Sequence, residues 1–268
     1  MLAPQVIDCG ARGCYRLGAM TRPMFAAISF TAAVLSAGTA SAEEVRVLSS
    51  VGIKAVVEEL APQFEKTTKH KVTAVFDLAS AQKAKIEGGE RFDVAILTPP
   101  LIDELIAKGA IAAASKTVVA RTGLGLMIPA GARKPDVSTV DAFKKTLVGA
   151  KAVTLVPAGA SGVAFLATAK KLGIADTIKT KPAANGEEVN ANVTSGAADI
   201  AILPVSEILP VKGAQLGGMF PADVQTFIVM AAGVNAKSPG SAARDFVAFL
   251  MSKANDAVIK AKGMERTP

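Results

Sequence analysis

The sequence predicts an α/β protein made of two successive units, each a mostly parallel sheet flanked by helices. Three observations carry that expectation. Short apolar runs alternate with stretches whose apolar residues recur at helical spacing. The alternation reads β-α-β-α-β-α as far as Gly109 and restarts after the run GLGLMIP at residues 123–129, as parallel strands joined by covering helices require. With an N-terminal leader of 42 residues set aside, 226 of the 268 residues remain, the size of one large domain or two small ones.

Taken in order, Val45 to Leu48 is a strand, and Ile53, Val56, Val57, Leu60 and Phe64 then mark one face of a helix that Pro62 should kink. Lys71 to Phe76 is the second strand, Ala81 to Glu87 a short helix, and Asp93 to Leu97 a buried strand. Pro99 and Pro100 open the helix Leu101 to Lys108, which Gly109 stops. After the strand 123–129 come a helix at Asp141 to Leu147, a strand at Ala152 to Val156 and a helix at Ser161 to Leu172 closed by Gly173. Glu187 to Ser195 is a helix closed by Gly196, Asp199 to Leu203 a strand, and from Thr226 the chain reads as strand, helix Ala242 to Met251 and a last helix to Lys262. There is no close internal repeat, low-complexity tract or long linker.

Residues 1–42 read as an export signal: Met20-Thr-Arg-Pro is a short basic start, Met24 to Gly38 is uncharged and mostly apolar, and Ala40-Ser41-Ala42 is a small-x-small cleavage site. The polar segment 1–19 ahead of Arg22 is foreign to such a signal, which places the translation start at Met20. A membrane anchor is the rival reading, but the run is short for a span and ends in a cleavable triplet. The mature chain then begins at Glu43. Cys9, Cys14 and Tyr15 leave with the leader, so no Cys, Tyr or Trp remains and no disulfide or lipid-bearing cysteine is expected. Removal of Arg12, Arg16, Arg22 and Asp8 leaves 27 basic and 22 acidic side chains of the original 30 and 23, a mild net of +5. Scattered lysines and few aromatics exclude a nucleic-acid platform, while a modest positive field draws in small anions.

Open parallel sheets present ligands at the carboxyl ends of their strands. Four polar loops stand there: Ser49-Ser50, Asp77 to Ser80, Gly159-Ala-Ser-Gly162, and Asn185 to Glu188. Helix starts carry unpaired N–H groups and a positive dipole end, so hydroxyls beside them make a neutral, donor-rich cradle for an anion. Ser50, Ser80 and Ser161 also stand where ordinary N-caps stand, and the two roles are compatible. Catalytic constellations fare worse. The only histidine, His70, sits in the basic stretch Lys66 to Lys71 and reads as a solvated loop residue. Metal-ligand spacing, a phosphate loop and a GxSxG motif are all missing. Glu187-Glu188 reads as first-turn acid favoured by the helix dipole.

The stretches VLSSVGIKAVVEELAPQFEK, DVAILTPPLIDELIAKGAI, VARTGLGLMIP, PAGASGVAFLATAKKLGIAD and FVAFLMSKANDAVIKAKGME together resemble the periplasmic molybdate-binding proteins and the wider group of bacterial extracellular solute-binding proteins. The resemblance covers essentially the whole mature chain. It implies a two-lobed periplasmic binding protein fold of type II, with residues 43–123 plus 226–268 as one lobe, 124–225 as the other, and the ligand cleft between them. It also implies an oxyanion held only by hydroxyls and backbone N–H groups. Carried over, the donors fall on Ser50 with Ser49 beside it, on Ala79 with Ser80 next along, near Ser161 and Gly162, and near Glu188 or Val189. The family's tyrosine hydroxyl falls on Leu203 or Pro204, neither of which supplies one. Arg121, near the first crossing, either compensates by facing the cleft, where its fork suits a carboxylate, or lies on the surface.

The expectation is therefore a periplasmic, monomeric binding protein, without cofactor, metal or catalytic activity. It captures a small anion, a molybdate- or tungstate-like oxyanion or a small organic acid, and delivers it to the permease of an ABC transporter. A ligand sensor of the same fold is the rival role.

Overall fold

The computed structural model describes residues 42–238 and 240–267, so the leader falls outside the described residues except for Ala42. The chain begins with β1 (Glu44–Ser50), a 3-10 turn at Val51–Ile53, α1 (Lys54–Thr68), β2 (Lys71–Asp77), α2 (Ala79–Glu87), β3 (Val94–Leu97) and α3 (Pro99–Ala107). A long β4 (Thr117–Pro129) follows, then α4 (Val140–Gly149), β5 (Val153–Leu155), α5 (Ala160–Lys171), β6 (Thr180–Pro182), α6 (Gly186–Thr194), β7 (Ile200–Pro204), α7 (Val205–Ile208) and β8 (Ala214–Met219). β9 (Phe227–Val234), α8 (Ala242–Met251) and α9 (Asp256–Ala261) complete it. The α/β alternation is as the apolar periodicity implies. α1 continues through Pro62, and Gly109, Gly173 and Gly196 end their helices at φ of 72°, 70° and 73°, a region open to glycine at little cost.

The strands run β2-β1-β3-β9-β4-β7-β5-β6, with β8 also on β4. β1 pairs in parallel with β2 and β3, and β5 with β6 and β7. Each lobe thus carries a parallel trio, as the β-α-β connections demand. The antiparallel pairings all involve β4 or β9 at the centre. β4 changes partner midway, pairing with β9 through Gly123 and with β7 and β8 from Leu124 onward. One strand therefore belongs to both lobes, which is the two-lobed architecture.

Each lobe has its own aromatic packing. Phe64 of α1 meets Phe246 of α8 edge-on at 5.2 Å, and Phe143 of α4 meets Phe220 at 4.7 Å. All four rings are buried, each contributing roughly 2 kcal/mol by removal from water. His70 differs from its expected solvated state. It is buried at the start of β2, its ring stacked on Phe64 at 5.9 Å and its Nδ1 accepting from the Glu43 N–H at 3.1 Å. The reason is that the turn after α1 folds the basic stretch back onto the helix end. Among the described residues, no helix is long and apolar enough to cross a membrane.

Candidate functional site

α2, α5 and α6 direct their N-termini to one place between the lobes. Ala79, Ala160 and Gly186, the first residue of each, line a cavity of about 40 Å³ together with Ser50 and Val51 from the end of β1. The hydrogen-bond ladders begin at Gln82 in α2, Val163 in α5 and Val189 in α6. Among the described residues the N–H groups before them show no partner, apart from Glu188, whose N–H the Asn185 side chain takes at 3.0 Å, and those of Ala79, Ala160, Ser161 and Gly186 belong to residues that line the cavity. A helix start lacks carbonyls a turn earlier, so these donors and the positive dipole ends suit an anion.

Five of the residues singled out in the sequence line this cavity: Ser50, Ala79, Ser161, Leu203 and Pro204. Ser50 Oγ accepts from the Gly52 N–H at 3.3 Å, capping the 3-10 turn, and its own hydrogen is left to donate. Ser161 is 7% exposed and its hydroxyl has no partner among the described residues. It is not the expected cap: Gly159 is the N-cap of α5, and Ser161 lies inside the first turn, facing the cavity.

The other candidates sit elsewhere, each for a local reason. Ser49 is fully buried and donates to the Ser50 carbonyl at 3.1 Å, because neighbouring residues of a strand face opposite sides. Ser80 is exposed on α2, whose cap is Leu78, so it is neither cap nor cavity residue. Gly162 packs its backbone against Val156, where an added Cβ would stand 1.9 Å from the carbonyl oxygen. Glu188 is spent within the α6 cap, its carboxylate accepting from the Ala184 N–H at 2.8 Å. Val189 donates to the Asn185 carbonyl at 3.2 Å and is buried in the core.

Arg121 does not face the cavity. Its guanidinium donates to Glu265 at 2.8 Å and lies over the Phe227 ring, 4.3 Å from the centroid. Alternation along β4 gives the inward place to Thr122, which is buried and donates to the Gly263 carbonyl at 2.9 Å. Arg121→Lys is therefore expected to leave the affinity for every anion that binds within about twofold and to change stability by no more than about 1 kcal/mol. Calorimetry of both proteins checks this, and a tenfold loss of affinity would return Arg121 to the site.

Sequence reasoning missed Glu207. It follows β7 in the four-residue α7 and lines the same cavity as the three helix N-termini. Neighbours in α7 are tied down: Ser206 Oγ donates to the Gly52 carbonyl at 2.7 Å and its N–H to Thr122 Oγ1 at 3.3 Å. The Glu207 carboxyl lies beside Gly52, whose Cβ, if present, would be 3.6 Å from Oε1. Glu207 is partly exposed to the cavity, no hydrogen bond to its carboxyl is found among the described residues, and desolvation by the surrounding protein pushes the carboxyl up to about 7. The available signal was its place: an acid at the carboxyl end of an apolar strand. A wider cleft of about 770 Å³ adjoins the cavity, sharing Val51, Leu78, Gly186 and Glu207 with it and carrying Lys54 and Lys212 on its walls.

Comparison with known proteins agrees with this architecture. Residues 45–265 match the family described as bacterial extracellular solute-binding protein. An aconitate isomerase of Pseudomonas sp. is 30% identical over 242 residues, covering 83% of this chain and 87% of that protein. The molybdate-binding protein ModA of Azotobacter vinelandii is 29% identical over 239 residues, covering 85% and 92%. The solved structure of the periplasmic molybdate-binding protein from that organism superposes with a TM-score of 0.66 at 22% identity, over 84% of this chain and all of the other.

Proposed function

Because the chain belongs to the bacterial extracellular solute-binding proteins, we propose that it is exported, captures a small anion between its lobes and delivers it to the permease of an ABC transporter. The single observation behind this reading is the cavity itself, where three helix starts and two serine hydroxyls supply donors that the protein leaves unspent. We place the lobe division at residues 123 and 226, supported by the change of partner along β4. On that division Ser50 and Ala79 come from one lobe and Ser161 and Gly186 from the other, so ligand binding draws the lobes together.

The two serines separate binding from folding. Ser161→Ala is expected to weaken anion binding about ten- to a hundredfold, the cost of one donor to a buried anion, and to leave thermal stability unchanged because Ser161 caps nothing. Ser50→Ala should weaken binding similarly and also cost about 1 kcal/mol of stability as a cap. Calorimetry against molybdate, tungstate, sulfate and small carboxylates, paired with thermal unfolding, measures both. Wild-type affinity in Ser161→Ala would remove Ser161 from the site.

A second reading, a small organic acid as ligand, draws on the apolar residues Leu78, Leu203, Ile228 and Met230 in the same cavity. Such walls suit a carbon skeleton better than an inorganic oxyanion. The similarity to a protein named aconitate isomerase extends this reading to chemistry on the ligand. Incubation with aconitate in D2O, followed by proton NMR, decides between them. Binding without loss of vinyl or methylene signal supports capture alone, and isomerisation or exchange supports turnover.

A further inference from the structure

We infer that Glu207 selects the ligand, making this a site for anions that bring a hydrogen-bond donor of their own and against fully ionised tetrahedral oxyanions such as sulfate and molybdate. Hydroxy acids, partly protonated carboxylic acids and hydrogen phosphate share the accepted chemistry. The inference rests on the cavity being an anion cradle and names the class of anion it takes.

Among the side chains that line the cavity, the only polar ones besides Glu207 are the neutral hydroxyls of Ser50 and Ser161, and Glu207 alone can carry a charge. An ionised carboxylate only accepts hydrogen bonds, and so does a fully ionised oxyanion. Placed together in a small cavity they share no proton, repel as like charges and each lose water, a cost that the surrounding donors must offset. A ligand hydroxyl or acid proton turns the same contact into a charge-assisted hydrogen bond. Discrimination by an unfavourable contact with the wrong ligand is the general route to specificity between near-isosteric anions.

The charged groups packed around Glu207 do not relieve it. Lys54 and Glu58 from α1, Asp77 from the end of β2, Glu187 from α6 and Lys212 beyond α7 face it across the wider cleft. Lys54 is paired with Glu58 at 3.7 Å and Asp77 with Lys85 at 2.8 Å, and none of the five forms an ion pair with Glu207. Because burial places the Glu207 carboxyl near 7, the selection is full at pH 8, where the group is ionised. It weakens at pH 5.5, where the protonated carboxyl can donate to any anion.

The test is calorimetry of wild type and Glu207→Gln with sulfate, molybdate, inorganic phosphate and malate at pH 8 and pH 5.5. At pH 8 the wild type is expected to bind malate or phosphate at least tenfold more tightly than sulfate and molybdate, and at pH 5.5 the gap narrows. Glu207→Gln, whose amide can donate, should gain at least tenfold for sulfate and molybdate at pH 8. The malate and phosphate arms distinguish an organic acid from a phosphate as the source of the donor. The pH arm needs no variant. Equal wild-type affinities for all four anions at pH 8, or an unchanged ranking in Glu207→Gln, overturns the inference while leaving the cradle. Binding of none of the four by either protein at either pH would overturn the cradle and the inference with it.

Discussion

Glu207→Gln is expected to stabilise the ligand-free protein by up to about 3 kcal/mol at pH 8 and to leave it unchanged at pH 4. Burial raises the carboxyl from 4.5 to about 7, so between those values the folded protein holds a proton that the unfolded chain has released. Stability therefore falls as pH rises through this window, by about 1.4 kcal/mol for each pH unit of displacement. Below 4.5 both states are protonated and nothing is lost. Above 7 both are ionised and the full burial cost persists, which the neutral amide removes. Asp77 and Glu87 are displaced the other way, chiefly by their lysine partners Lys85 and Lys108, so their contributions fade only on acidification below the ordinary carboxylate range. The window from 4.5 to 7 belongs to Glu207. Urea unfolding of both proteins at pH 4, 6 and 8 measures the difference, and parallel stability profiles would show that the carboxyl is not desolvated.

Such a cost, retained at the point where two lobes meet, is what a binding site looks like in the energetics of an empty protein. A carboxyl in a cavity could be made harmless by one lysine within reach. Lys54 and Lys212 stand on the walls of the adjoining cleft, yet neither pairs with it. The serines tell the same story from the donor side, since Ser161 opens onto the cavity and its hydroxyl has no partner among the described residues. Groups left unpaired inside a fold of good packing are commonly those a ligand completes.

What could be read from the sequence followed from local periodicity. The β/α alternation, the helix stops at glycine and the gathering of polar loops at strand ends all arise from residues near one another in the chain. β8, with the sequence AQLGGM, was not legible: Gly217 and Gly218 erase any alternation, and its place is fixed by pairing with β4 from a distant part of the chain. β6 and α7 are too short to carry a period. Within the site the loops were legible but the individual side chains were not. Ser49 against Ser50 and Arg121 against Thr122 differ by one place on a strand, and one place reverses the face. Glu207 was missed for another reason. A search for donors to an anion passes over an acid, and its meaning appears only when the fold brings it into one cavity with three helix starts.

Gly162→Ala is expected to be the most damaging single methyl group at this site, costing about 3 kcal/mol of stability and most of the anion affinity. The first turn of α5 doubles back on the strand it follows, and Val156 accepts a hydrogen bond from the Gly159 N–H at 3.0 Å. A Cβ on Gly162 would stand 1.9 Å from the Val156 oxygen, 2.8 Å from its carbonyl carbon and 3.1 Å from the Pro157 Cα. All three are backbone atoms, so no rotamer change relieves the contact, and the helix start must move off the loop. Overpacking of this kind costs about 1–3 kcal/mol, and more where the neighbour cannot yield. The same movement carries Ala160 and Ser161 away from the cavity. A hydrogen bond is lost once its atoms part beyond about 3.5 Å, so a shift of about 1 Å removes the α5 share of the cradle and should lower affinity at least tenfold. Gly149→Ala is the matched control: it ends α4 with nothing within 4 Å of the added methyl and should be neutral or stabilising by about 0.5 kcal/mol. Thermal unfolding and anion calorimetry on the two variants separate the effects. If Gly162→Ala melts and binds like wild type, α5 is free to slide, and its N-terminus does not owe its place to the contact with Val156.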